Sequence, residues 1–301
     1  PSGVEWNGIK WNGIESNEME MNERIAMTLD DWIRQSPLPR IEARMLLQKS
    51  GGYSRVQLIM QGAEAIPADV FVRLESLAER RLNGEPMAYI MGGREFYGRW
   101  FEVCPDVLIP RPETEHLVEA VIEHLPKNGR VWDLGTGSGA VAVTVVLERK
   151  DAEVRASDIS RQALVVACRN AENLGAAVEF ASGSWFDTDK TSSEDKYRFD
   201  VIVSNPPYIE ADDSHLNQGD LRFEPQTALT DFADGLTCIR ELAQRAPEFL
   251  KEGGWLLLEH GYNQGRAVRQ ILSENGFTEI ETRQDLAGLD RLTLGIRRHI
   301  E

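Results

Sequence analysis

The chain is poor in the residues that mark several large function classes. Its 301 residues include only three cysteines, Cys104, Cys168 and Cys238, and no two of them form a C-x-x-C pair. Neither a disulfide framework nor a zinc site is expected. The five histidines make no H-E-x-x-H or similar cluster, so no metal is expected. No apolar run approaches the roughly 18 residues of a membrane span. The first residues lack the basic-then-apolar pattern of a secretory signal, and the cytoplasm is the expected location. Basic charge is scarce too. Residues 1–26 hold five acids and two bases, and residues 27–98 hold nine of each. The net charge of −16 therefore falls as −3, zero and −13 on these two stretches and on residues 99–301. So acidic a surface repels phosphates, whose neutralisation dominates nucleic-acid affinity.

What is present divides into unlike stretches. In residues 1–26, Trp6-Asn7-Gly8-Ile9 recurs as Trp11-Asn12-Gly13-Ile14, a repeat too short for a solenoid. The chain starts at Pro1 rather than Met, so this stretch is read as a processed, truncated or engineered extension, expected to be flexible. Docking through its tryptophans is the alternative. Residues 27–94 read as a small helical bundle. Thr28-x-x-Asp31 opens the first helix, and Ser36-Pro37-Leu38-Pro39 breaks it. A second helix over 40–49 is expected to bury Ile41, Met45 and Leu46. A third covers 54–61, and a fourth, over 67–82, carries the stripe Val70, Leu74, Leu77 and Ala78. Residues 95–109 read as a β-hairpin linking this bundle to the remainder, 110–301.

That remainder alternates strand and helix. Strands are expected at 130–134, 153–157, 177–181, 199–204 and 255–259, with helices at 139–149, 160–174, 236–250 and 263–274. Two closing strands, 277–283 and 291–297, are separated by too short a link for anything but antiparallel pairing. The fold class is α/β: a mostly parallel, Rossmann-like sheet with an antiparallel edge strand, preceded by the helical bundle.

The chemistry lies at the carboxyl ends of the strands. Gly135-Thr136-Gly137-Ser138-Gly139 joins the first strand to a helix. Its glycines permit a tight turn and close approach of a ligand, and the helix N-terminus adds a positive dipole end. The string also fits a dinucleotide site. Asp133, two residues earlier, is placed to hold an ammonium group. Asp158 ends the second strand 23 residues beyond Gly135, the distance expected of a carboxylate on ribose hydroxyls, or else it serves as a helix cap. Trp185 reads equally as a platform for adenine or as a core residue. Asn205-Pro206-Pro207-Tyr208 follows the run Phe199 to Ser204. Two prolines end the strand there. Asn205 offers an amide, Pro206 a carbonyl and Tyr208 a flat face, together a clamp for a planar NH2 group.

Glycine loop, ribose acid and N-P-P-Y in this order resemble class I S-adenosylmethionine-dependent methyltransferases acting on the nitrogens of planar groups. A closer resemblance, covering about 28–301, is to the HemK/PrmC family. It rests on Gly84-Glu85-Pro86, Arg94 to Gly98, Ile109 to Glu115, Asp133 to Ala140, Ser204 to Ile209, Arg222-Phe223-Glu224-Pro225 and Leu258-Glu259-His260-Gly261. This resemblance implies methylation at N5 of the glutamine in the Gly-Gly-Gln loop of class-one peptide release factors. It implies S-adenosyl-L-methionine as donor, with S-adenosyl-L-homocysteine as product, and a helical domain that helps seat the release factor. The cofactor residues are then Gly135, Thr136, Gly137, Ser138, Gly139, Asp158, Trp185 and Asn205. The substrate residues are Asn205, Pro206, Pro207 and Tyr208, with Asn205, Pro206 and Tyr208 as the catalytic set. The form Arg111-Pro112-Glu113-Thr114-Glu115 favours release factors over the ribosomal-protein glutamine enzyme that shares N-P-P-Y. N-P-P-Y alone equally permits a nucleic-acid base methyltransferase acting on adenine N6 or guanine N2, against which the charge argues. A non-enzymatic NAD-binding or scaffold protein is the third reading.

Overall fold

The computed structural model describes residues 27–188 and 198–298, and the backbone pairing of Glu5–Trp6 with Ile9–Lys10. The extension expected over 1–26 otherwise lies outside the described residues. Chain contacts divide the molecule into two compact units that meet in sequence at Met91 and Gly92.

The first unit is helical. Helix α1, Leu29–Gln35, starts where the Thr28 hydroxyl accepts from the Asp31 N–H at 3.1 Å. Helix α2, Arg40–Gly51, ends at Gly52, whose φ of 71° a side chain would resist. Helix α3, Arg55–Met60, carries a full capping box between Ser54 and Gln57. Helix α4, Ala68–Leu82, buries Val70, Leu74 and Ala78, with Leu77 packed against them, and the short α5 spans Met87–Met91. On α2 the buried stripe is Ala43, Leu46, Leu47 and Ser50, whereas Ile41 is 70% exposed. The expected face containing Ile41 is therefore corrected. Positions 43, 46, 47 and 50 follow the helical repeat, and Ile41 lies off that stripe.

The second unit opens with the hairpin β1, Gly93–Phe96, and β2, Arg99–Glu102, which turns through Tyr97 and Gly98 at positive φ. The residues expected as a linker thus begin the larger unit, where Phe96 and Phe101 join its core. Helix α6, Glu115–His124, follows a 3-10 turn at Pro112–Thr114. The chain then alternates: β3 Arg130–Leu134, α7 Ala140–Glu148, β4 Glu153–Asp158, α8 Arg161–Leu174, β5 Glu179–Ser182 and β6 Phe199–Ser204. The short α9, Gln226–Leu229, precedes α10 Thr237–Phe249, β7 Leu250–Glu259, α11 Gly265–Glu274, β8 Phe277–Gln284 and β9 Asp290–Arg297. The sheet order is β8-β9-β7-β6-β3-β4-β5. Strands β7, β6, β3, β4 and β5 are parallel, and β9 runs antiparallel between β7 and β8.

Alternate residues of the central strands feed two cores, as the period of two requires. Val131, Val201, Val203 and Leu257 pack with α6 and α7 on one face. Trp132, Leu134, Ile202, Leu256 and Leu258 pack with α10 and α11 on the other. From β3 the chain first builds outward through β4 and β5, then returns to β3's other side with β6. The carboxyl ends of β3 and β6 therefore flank the switch point of the sheet, where open α/β folds leave a crevice.

Candidate active site

At that crevice lies a cavity of about 450 Å³. One wall is mainly backbone. Beyond β3 the chain turns back over β4, because the N–H groups of Gly135 and Thr136 both donate to the Ser157 carbonyl, at 2.9 and 3.0 Å. Gly135, Gly137 and Gly139 all have positive φ. A Cβ on Gly135 would stand 3.2 Å from the Trp185 ring, and one on Gly139 would meet Ala167 at 3.1 Å. Gly139 thus allows α7 to pack on α8, and Gly135 lets the Trp185 ring lie against the loop.

Two carboxylates face this wall. Asp158 accepts from the Gly137 N–H at 2.9 Å and the Ser160 N–H at 2.8 Å. The cap of α8 is Ser160, whose hydroxyl accepts from Ala163 N–H. Burial raises the Asp158 pKa against those backbone donors. Asp133 is almost fully buried. Its Oδ2 accepts from the Thr136 hydroxyl at 2.6 Å and the Ala142 N–H at 3.3 Å. Burial, helped by the charge of Asp158, pushes its pKa up to about 7. A bound cation would reverse that shift.

The opposite wall comes from distant segments. At the end of β6 the Ser204 hydroxyl donates to the Leu134 carbonyl at 2.7 Å and ties the two strand ends together. Asn205 and Pro207 line the cavity, and Pro206 between them in sequence is buried. The Tyr208 carbonyl accepts from Gln264 Nε2 at 3.0 Å, and a Cβ on Gly235 would come within 2.4 Å of it. The Tyr208 hydroxyl donates to the Glu259 carboxyl at 3.5 Å, and burial pushes its pKa up. A further segment is held by Glu224. Its buried carboxyl accepts from Ile109 N–H at 2.9 Å and pairs with Arg111. Burial raises its pKa although Arg111 opposes the shift. Pro105 to Leu108, Pro110, Arg111 and Thr114 thereby become wall. Thr230, Asp231, Phe232 and Cys238 complete it.

The structure therefore gathers Gly135, Thr136, Gly137, Ser138, Asp158, Trp185, Asn205 and Pro207 around one cavity. Gly139, Pro206 and Tyr208 stand outside its lining. Thr114, Glu224 and Glu259 carried no role in the sequence reading, although each lies in a motif quoted there. Their partners are far along the chain, so only the fold pairs them.

Known proteins add a second line of observation. The family model described as PrmC N-terminal domain matches residues 33–92, and that described as Methyltransferase small domain matches 113–221. The chain is 68% identical over 269 residues to the release factor glutamine methyltransferase of Neisseria gonorrhoeae, covering 89% of this chain and 97% of that protein. Identity to the protein of the same description from Bordetella pertussis is 48% over 269 residues, covering 89% and 98%. Among solved structures, a methyltransferase from Pyrococcus furiosus is similar with a TM-score of 0.52 at 17% identity, covering 75% of this chain and 100% of that one. A T. thermophilus 16S rRNA N2 G1207 methyltransferase in complex with AdoMet and guanosine gives 0.50 at 19%, covering 68% and 50%. At those identities the structural likeness speaks for the fold alone. The sequence matches go further: the chain belongs to the family of the release factor glutamine methyltransferases.

Proposed function

We propose that this protein transfers a methyl group from S-adenosylmethionine to the N5 side-chain amide of the glutamine in the Gly-Gly-Gln loop of class-one peptide release factors. The observation that carries the reading is the presence of Asn205 on the same cavity as the glycine loop and Asp158. Family membership narrows the planar NH2 group to a glutamine, and the acidity of residues 99–301 supports a protein over a nucleic acid. The helical unit is the docking element for the release factor in this reading, and the cytoplasm is where the two meet.

The residues present fit the cofactor. At Gly135 a Cβ would crowd the Trp185 ring, and Gly137 opens on free space. Asp158 keeps acceptor capacity for ribose hydroxyls beside its two backbone donors. Asp133 offers Oδ1, which no described residue uses, to an ammonium group. The Trp185 ring offers an apolar platform for a base. When bound, S-adenosylmethionine supplies the methyl group on a strongly activated sulfonium.

The chain's own work is placement. A carboxamide nitrogen is a poor nucleophile because its lone pair is delocalised into the carbonyl. Holding it in line with the reacting carbon can contribute roughly 7–11 kcal/mol. The Asn205 oxygen and the Pro206 carbonyl are the acceptors for the two amide hydrogens, and they favour positive charge growing on nitrogen. Tyr208 packs behind them. His260 is no base for this amide: it is buried, its ring nitrogens engage the Gly261 carbonyl and the Thr293 hydroxyl at 2.8 Å, and burial lowers its pKa. The amide gives up one proton after it gains the methyl group, and neutrality is restored.

Mass spectrometry of a class-one release factor incubated with the protein and donor tests the proposal. One added methyl on the loop glutamine is expected. An unmodified glutamine, with label transferred to DNA or RNA instead, overturns it.

A further inference from the structure

S-adenosylmethionine brings an amino-acid end as well as a methyl group, with one ammonium and one carboxylate. Asp133 offers Oδ1 to the ammonium. The carboxylate needs a partner too, and the cavity is poorly suited to it. Asp106, Asp133, Asp158 and Asp231 are all among the described lining residues. In a glycine loop before a helix, backbone N–H groups are the usual holders of an anion. Here most of them are taken. Those of Gly135 and Thr136 donate to the Ser157 carbonyl, that of Gly137 to Asp158, and that of Gly139 to the Thr136 carbonyl at 2.9 Å.

Arg111 is the one basic side chain among the described lining residues. It precedes Pro112, which disfavours the helical region for it, and its backbone is extended at φ −98° and ψ 143°. Glu224 then holds this stretch twice. Its carboxyl accepts from the Ile109 N–H at 2.9 Å and pairs with Nη2 of Arg111. A guanidinium carries five N–H donors, and among the described residues only Nη2 of Arg111 has a partner. The Arg111 side chain is 30% exposed, whereas that of Glu224 is fully buried. Donors therefore remain on a planar fork, the shape that suits a carboxylate. The pairing has a second consequence. An unpaired arginine would repel the cofactor's sulfonium. Glu224 cancels that charge at range and leaves the free N–H groups for short-range use.

We propose that Arg111, held in place by Glu224, binds the carboxylate of the cofactor's amino-acid end while Asp133 takes its ammonium. The site then reads both charges of the zwitterion, and a ligand without the carboxylate binds weakly. For its ligand this rests on the methyltransferase reading above.

Calorimetry on the full chain tests it with two thioethers. One is S-adenosylhomocysteine. The other is its decarboxylated analogue, which keeps the adenosine and the ammonium. Arg111→Met alone leaves a buried carboxyl without its counter-ion and can fail to fold. The comparison is therefore made twice, between wild type and Arg111→Met, and between Glu224→Gln and Glu224→Gln with Arg111→Met. Wild type should bind S-adenosylhomocysteine at least tenfold tighter than the analogue. In both pairs the change at Arg111 should raise the Kd for S-adenosylhomocysteine about tenfold or more, the effect of losing hydrogen bonds to a charged group. The Kd for the analogue should stay within about threefold. A preference for S-adenosylhomocysteine that survives the loss of Arg111 overturns the proposal and gives the carboxylate to the N-terminus of α7. Equal affinities in the wild type overturn it as well. So does a parallel loss of both affinities, which would make Arg111 a support of the cavity rather than a ligand residue. A wild type that binds neither compound sinks the function proposed above and this assignment with it.

Discussion

The two walls of the cavity are built by different means. The wall of the glycine loop comes from three segments that follow one another, residues 133–141, 158–163 and 183–185. Backbone N–H groups and glycine dihedrals shape it, and Asp158 braces it. The wall of Asn205 draws on residues 105–114, 205–207 and 225–238, backed by Glu224 and Glu259. Side chains hold it together across long stretches of chain. The first wall is a local consequence of strand, turn and helix. The second exists only once the whole sheet has formed. A backbone-built wall suits a cofactor that never varies, and a side-chain-built wall suits the task of aligning one amide.

The largest expected effect separates the walls by function. Asn205→Ala removes the proposed acceptor for developing charge. Loss of a single group of that kind costs about 10²–10³ in kcat. The Kd for S-adenosylhomocysteine should stay within about threefold, since the glycine loop and Asp158 are untouched. Steady-state kinetics and calorimetry on the same preparation check both. A Kd that rises as steeply as kcat falls would merge the two walls into one.

Asp158→Ala should do the reverse. It deletes the proposed ribose acceptor and also the brace on Gly137 and Ser160. Hydrogen bonds to a charged group contribute about 1.5–3 kcal/mol, roughly a 10–100-fold rise in cofactor Kd. At saturating cofactor, kcat should fall only a few-fold.

Each wall hides one carboxyl with a pKa near 7, Asp133 in the first and Glu259 in the second, and burial is the leading cause in both. Unfolded carboxyls release their protons near pH ~4, so between that pH and about 7 the folded protein holds the extra protons. The stability contributed by this pair therefore falls as pH rises through that window and is level above it. Ligand binding should tell the two apart. Asp133 lines the cavity and must ionise to hold an ammonium group, so affinity for S-adenosylhomocysteine should rise with pH up to about 7 and then level. Calorimetry across that range should show the slope flattened in Asp133→Asn and kept in Glu259→Gln. A slope that survives Asp133→Asn removes Asp133 from the cofactor's ammonium group.

The same contrast governs what the sequence revealed. The order of strands and helices was legible because apolar periodicity is a local signal, and the switch point follows from that order. The strand expected at 255–259 is in fact β7, Leu250–Glu259, because the Glu252-Gly253-Gly254 interruption is absorbed with Gly253 at a φ of 74°. The family, too, was legible from its motifs. What could not be read was the pairing of Glu224 with Ile109 and Arg111, of Thr114 with Asn205, or of Glu259 with Tyr208. Each is a short polar word in the sequence, and hydrogen bonding between such words is decided by tertiary packing, for which the sequence carries no period.

The smallest effect concerns two strained aromatics, one on each wall. Trp185 has a φ of 40° and Phe232 a φ of 59°, a region that costs a side-chain residue about 1–2 kcal/mol. Trp185 recovers that cost, because its ring packs against the core beside Phe186 and over Gly135. Phe232 does not, being 62% exposed. Its backbone is set by Asp231, which accepts from the N–H groups of Ala233, Gly235 and Thr237. Phe232→Gly should therefore raise stability in urea by a few tenths to about 1 kcal/mol, while Trp185→Gly lowers it. Strain kept at an exposed ring on the cavity is expected to serve the substrate. In Phe232→Gly the KM for the release factor should rise several-fold at unchanged cofactor Kd. If Phe232→Gly instead lowers stability and leaves KM alone, the ring is held for the fold as Trp185 is, and the two walls are more alike than their construction suggests.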